Sequence, residues 1–212
     1  MATDFVHTGD VVAAVLAVLR GADGARHTGG LPANWWPDAQ DGTEVPLQLC
    51  QHGDLADYAS TDEVLADTPA ILVRGLGTMM GERNLACYHT VEPVRIIHIR
   101  RFDDCRDSAG DLERNQARAR ERYAKAIHAA LFHDPHKRLA VIDSEGERTE
   151  VSLTCTDISG AGVYDCQLRG WDLGYDAGSS YSMQDVAAWR RLGNTRAWAI
   201  GCEIEVRVKS GP

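Results

Sequence analysis

The stretch Trp198-Ala-Ile-Gly-Cys-Glu-Ile-Glu-Val-Arg-Val208 alternates without a break. Trp198, Ile200, Cys202, Ile204, Val206 and Val208 fall on one side, and Glu203, Glu205 and Arg207 on the other. Strand side chains repeat with a period of two, so this is a strand with one face on a core and one in water. Three more strands precede it, at Leu139 to Asp143, Thr149 to Asp157 and Val163 to Arg169. The turn-rich segments Ser144-Glu-Gly-Glu147 and Ser159-Gly-Ala-Gly162 separate them. Ser182-Met-Gln-Asp185 caps a short helix that ends at Gly193.

Further back, a helix spans Asp111 to His133. Tyr123, Ile127, Ala130 and Leu131 form its apolar face, and Arg114, Arg118, Arg122 and Lys125 its polar side. Ser108 and Asp111 have capping-box spacing, and Asp134-Pro135 ends the helix. Val91 to Phe102 reads as a strand whose alternation is blurred by Ile96, Ile97 and Ile99, which suits cover on both faces. Ala70-Ile-Leu-Val-Arg74 is a shorter buried strand, followed by the glycine-spaced stretch 75–84, read as a hairpin tip. The chain opens on a helix from Asp10 to Arg20, with Val11, Val12, Val15, Leu16 and Leu19 in one stripe and Gly21 as its stop.

This order specifies an α+β domain: a mixed or antiparallel sheet packed against two main helices, with long loop insertions. All 212 residues form one domain. Residues 21–68 are read as an irregular acidic insertion with at most short turns or a strand at Leu47 to Cys50, and 170–195 as an insertion with the short helix. A chain this long buries roughly 70 % of its unfolded surface without needing disulfides. Its apolar share of 44 % and charged share of 25 % are those of an ordinary globular protein.

Charge is uneven along the chain. Residues 1–68 hold Arg20 and Arg26 against eleven acids, whereas residues 69–212 balance twenty against twenty. The net charge of −9 therefore sits in the first third, the opposite of what a phosphate-gripping protein shows. Such a surface argues against tight nucleic-acid binding but lets DNA slide past. The N-terminus has Asp4 as its first charge and no basic start, so it does not read as a secretory signal. The expectation is a reducing, cytoplasmic compartment for folding, with Cys50, Cys87, Cys105, Cys155, Cys166 and Cys202 as free thiols.

Residues that could carry chemistry are few. His128 and His133 stand five apart, poor spacing for one helical face, and the His133-Asp-Pro-His136 segment is a helix end that favours histidine. Cys50 with His52, and Cys87 with His89, lack the surroundings of a nucleophilic thiol. Gly75-Leu-Gly77 lacks the third glycine and the following helix of a nucleotide loop. The basic run from Arg114 to Lys125 is broken by Glu121 and reads as a solvated helix face. No catalytic residue, metal ligand or cofactor is expected. Apolar residues in glycine-rich or irregular segments point instead to protein contact. Leu76, Met79, Met80, Trp35 and Trp36 are the interface candidates.

The helix Val11 to Gly21, the strand entry Thr68-Pro-Ala-Ile-Leu-Val73 and the long strand Val91 to Phe102 form a recognisable succession. The helix running into Ala130-Leu131 and the terminal strand Trp198 to Val208 complete it. In this order the chain resembles the tail terminator proteins of long-tailed bacteriophages. The resemblance covers residues 10–20, 68–157 and 196–209, and the two insertions exceed that family's compact core. It implies a virion structural protein of the neck, assembled in the host cytoplasm and not an enzyme. It further implies a hexameric ring that caps the tail tube protein, stops tube polymerisation and offers a docking face to a head–tail connector or stopper protein. DNA would pass through the ring without specific binding. Another neck protein, a connector or stopper, is the alternative, and a small hydrolase or transferase with an unrecognised site is a third reading.

The compartment argument has a direct check. All six cysteines should react with a thiol reagent after denaturation without reductant, and a titre below six would reveal a disulfide.

Overall fold

The computed structural model describes residues 6–20, 49–83, 88–101, 139–142, 148–151, 153, 162–172 and 197–210. It also describes positions 121, 124, 125, 127, 128 and 130–132. The opening apolar stripe forms α1 (Thr8–Arg20), in which Val11, Val12, Val15, Leu16, Val18 and Leu19 are buried. The helix starts two residues earlier than the stripe requires. There the Asp10 carboxylate accepts the His7 backbone N–H at 2.9 Å, and the Asp10 N–H donates to the His7 carbonyl.

The segment expected to be irregular up to residue 68 holds regular elements in its second part. They are β1 (Leu49–His52), a 3-10 turn (Leu55–Asp57) and α2 (Thr61–Asp67). Helix α2 has local causes: the Ser60 hydroxyl accepts the Glu63 N–H, and the Glu63 carboxylate accepts the Ala59 N–H at 2.8 Å. Residues 21–48 of that segment lie outside the described residues.

The remaining strands are β2 (Ala70–Gly75), β3 (Met79–Arg83), β4 (Tyr88–Arg101), β5 (Ala140–Ile142), β6 (Arg148–Glu150), β7 (Gly162–Asp172) and β8 (Ala197–Ser210). The main sheet runs β1-β2-β4-β8-β7, with β3 also on β4. Strand β1 is parallel to β2 and every other pairing in the sheet is antiparallel, so the sheet is mixed. Strands β2 and β3 lie end to end along one side of β4, against residues 94–99 and 88–91 respectively. Strands β5 and β6 make a separate two-stranded ribbon, shorter than the strands expected there. The described positions between 121 and 132 are helical, and Ala124, Ile127, Ala130 and Leu131 bury as expected. The short helix expected before Gly193 lies outside the described residues; β7 itself runs two residues past 170.

Two apolar layers explain the blurred pattern of β4. Val94 and Ile96 join Ile71, Val73, Ile200, Cys202, Ile204, Val206 and Val208 in a core that includes α1 and the 124–131 helix positions. Ile97 and Ile99 face the other way, with Leu72 and Ala199, under Leu55, Tyr58, Val64 and Leu65. The missed α2 is thus what covers the second face. Helix α1 sits so close to β2 that a Cβ at Gly75 would collide with Thr8 Cγ2. The side chain of glycine is absent there because the helix occupies its place.

The α1 side of β4 also buries His98 and Arg100, two residues apart. Burial, and then the Arg100 charge, push the His98 imidazole well below its ordinary range, so it is neutral in the fold. A histidine depressed by folding takes up its proton more readily in the unfolded chain. Stability is therefore full above about pH 6.5 and lost as pH falls below it, by up to about 1.4 kcal/mol per pH unit. The melting temperature should drop between pH 7 and pH 5 more steeply in the native protein than in His98→Gln. Equal slopes would show that His98 does not titrate on unfolding.

Candidate interaction surface

Where β2 gives way to β3, three residues leave the ladder, and their hold on β4 is specific. The Leu76 N–H donates to the Pro93 carbonyl at 2.9 Å. Gly77 takes φ +108°, a left-handed conformation that side chains resist. The Thr78 hydroxyl donates to Glu92 Oε2 at 2.9 Å, and the Thr8 hydroxyl of α1 donates to the same oxygen at 2.7 Å. Glu92 is completely buried, so these two bonds are what its Oε2 has in place of water. One buried acid thereby ties together the start of α1, the β2–β3 break and β4. The backbone so fixed turns Leu76 and Met79 outward, at 40 % and 44 % exposure.

The opposite edge of the sheet is β7. Its register against β8 shifts twice, between Val163 and Asp165 and between Leu168 and Gly170. Tyr164 is the extra residue at the first shift and is 42 % exposed, its ring edge-on to His89 at 5.3 Å between centroids. Among the described residues, Leu76, Met79 and Tyr164 are the large apolar side chains left in solvent. All three stand at an outer edge of the sheet.

The sheet face away from α1 is ionic beyond the reach of α2. Arg95 meets Glu203 at 2.6 Å, Arg169 pairs with Glu205, and Arg207 lies 3.7 Å from Asp165. The polar side of β8 is therefore half-buried and matched across strands, a more sheltered position than a face in free water. Arg74 similarly pairs with Asp54. Arg74, Arg95, Arg169 and Arg207 on this face are thus each matched by a carboxylate, which lowers their availability to phosphate.

The structure moves Met79 and Met80 from a hairpin tip into β3, which runs on to Arg83 before β4 begins at Tyr88. Met79 pairs with Val91 and Met80 with Thr90. The glycine spacing that suggested a tip belongs to the strand break at 76–78 and to the strand itself. Leu76 and Met79 are brought within three residues of each other on one edge, while Trp35 and Trp36 lie outside the described residues. Tyr164 went unread in the sequence because a bulge leaves no periodic signal.

The residues considered for chemistry have other roles. Cys50 is buried and its thiol is pushed up to about 11, chiefly by burial, with Arg20 pulling the other way. At neutral pH only ~10⁻⁴ of such a thiol is ionised, so it is a poor nucleophile. Cys166 is pushed up to about 12 and Cys202 higher still by the same cause; all three are free thiols. His128 packs its ring against Phe132 at 4.8 Å, and His133, Asp134 and His136 lie outside the described residues. No metal-holding group of three or more His, Cys, Asp or Glu side chains occurs among the described residues. No helix among them is long and apolar enough to cross a membrane.

No known protein family matches the chain, and a search of characterised proteins finds no relative. The edge geometry also makes a prediction. Thr78→Val keeps shape but removes one of two donors from a buried carboxylate, and should cost about 1–2 kcal/mol in urea unfolding. An unchanged midpoint would mean that Glu92 does not anchor the strand break.

Proposed function

We propose that this chain is a structural ring subunit of a bacteriophage tail, a tail terminator that caps the tube and receives the head connector. The observation that carries the reading is the succession and placement of elements. An opening helix packs on the Ala70–Gly75 strand, a long second strand and helical positions up to residue 132 follow, and β8 takes an interior place in the sheet between β4 and β7. Exposed apolar residues at two different sheet edges add to it, since a head-to-tail ring requires two unlike patches on every copy.

The role follows from that architecture. A closed ring uses up its side patches and presents only its two flat ends. One end takes the last ring of the tube and the other takes the connector, so growth stops where the terminator sits. An acidic excess suits a channel through which DNA must move without sticking.

The experiment is electron microscopy of tail tubes polymerised with and without the protein. Tubes should stop growing and should carry a six-fold ring at one end. Unchanged tube lengths, or end rings of another symmetry, would overturn the terminator role.

A further inference from the structure

We propose that Glu92, Thr8 and Thr78 hold one magnesium ion at the junction of α1, β4 and the β2–β3 break. The site stands apart from the ring reading. Its first support is a count of protons. Thr8 Oγ1 lies 2.7 Å from Glu92 Oε2, Thr78 Oγ1 lies 2.9 Å from the same oxygen, and the two hydroxyl oxygens are 2.8 Å apart. Three close contacts join three oxygens, but two hydroxyls supply only two protons. Once both protons go to the carboxylate, the hydroxyl oxygens face each other at hydrogen-bond distance with no proton between them. Any other assignment leaves a bare contact elsewhere in the triangle. A cation touching all three oxygens removes the conflict, because each hydroxyl then turns a lone pair inward and its proton outward.

The second support is charge. Glu92 is completely buried, and no ion pair among the described residues includes it. Among those residues its other oxygen, Oε1, has no hydrogen-bond partner. Neither has the buried hydroxyl of Thr90, two residues along the same face of β4. A buried carboxylate is costly unless it is paired or bound to metal. The N-terminus of α1, where Thr8 stands, lends partial positive charge, which offsets part of that cost but adds no proton to the triangle.

The donors identify the ion. All are oxygens, which selects a hard cation. Magnesium holds an octahedron of ligands at about 2.0–2.1 Å, so oxygens sharing one face stand about 2.9 Å apart. Calcium, at about 2.3–2.6 Å, spreads them to about 3.3–3.7 Å. The spacings of 2.7 to 2.9 Å match the smaller ion. Magnesium also keeps several waters and takes only one or two carboxylates, so a single glutamate suffices. Thr78 is exposed and Thr8 half-buried, which gives those waters an approach. Open space adjoins both threonines: apart from the chain beside them, nothing comes within 4 Å of where a Cβ would stand on Gly9 or Gly77.

The test is thermal melting of the full chain in magnesium chloride against sodium chloride of equal ionic strength. About 10 mM magnesium should raise the native melting temperature by about 3 °C or more, and calcium should raise it less. Glu92→Gln and Thr8→Val should each abolish the magnesium-specific rise, whatever their own stability. If either variant does not fold, the native protein still decides. Manganese, which takes the same oxygen ligands, should broaden the amide signals of residues 8, 78 and 92 before any others. Equal melting in the two salts overturns the proposal, and a carboxyl proton is then what closes the triangle. A larger rise with calcium, a rise retained in both variants, or manganese broadening centred on other residues overturns it as well.

Discussion

Strand β8 pairs with β4 over fourteen consecutive residues without a register shift, from Tyr88 opposite Ser210 to Arg101 opposite Ala197. Everything else leans on that ladder. It joins residues about a hundred positions apart, so the loop between them must close before the contacts reward it. A slip of one residue would turn Ile200, Cys202, Ile204, Val206 and Val208 from the α1 core to the ionic face. The same slip would carry Glu203 away from Arg95. Hydrophobic burial and ion pairing therefore enforce one register from opposite sides of the sheet.

Along β4, the α1-facing side chains are apolar only in the middle. Val94 and Ile96 sit between Glu92 and Thr90 toward one end and His98 and Arg100 toward the other, all of them buried. Such a strand is costlier to bury than one of pure valine and isoleucine, and removing a partner from it costs more than the pair contributes. What is gained is position. Glu92 holds Thr8 and Thr78 at once, so the angle of α1 and the path of the outer strand are coupled through one carboxylate. The exposed edge is anchored from behind by a buried acid.

Period-two and period-3.6 signals were readable wherever one side of an element meets the core. The alternation of β8 and the stripe of α1 are of this kind, and both elements form within two or three residues of where the pattern puts them. Helix α2 left only a faint trace, the Ser60 to Glu63 capping spacing in seven residues, too short for a stripe to accumulate. The face of β8 read as wet is partly sheltered, because charge alternation does not say whether a cross-strand partner stands opposite. Leu76 and Met79 were legible as apolar residues lacking a local core, but not as members of an outer strand. The left-handed Gly77 and the bond from Leu76 to Pro93 depend on tertiary contact. Tyr164 was illegible for the reason that makes it useful: the bulge that exposes it breaks the pattern that would predict it.

A sheet that ends in two unlike edges poses a problem that a monomer answers with short strands, bulges and charge. Here β7 has the bulges, while β3 is short and broken from β2. Both devices limit backbone pairing with stray chains, yet each edge keeps a large apolar side chain in solvent. Protection against aggregation would have been complete with polar residues at 76, 79 and 164. The bulges and the break hinder indiscriminate strand addition, while the apolar side chains at those positions stay open to contact through side-chain fit.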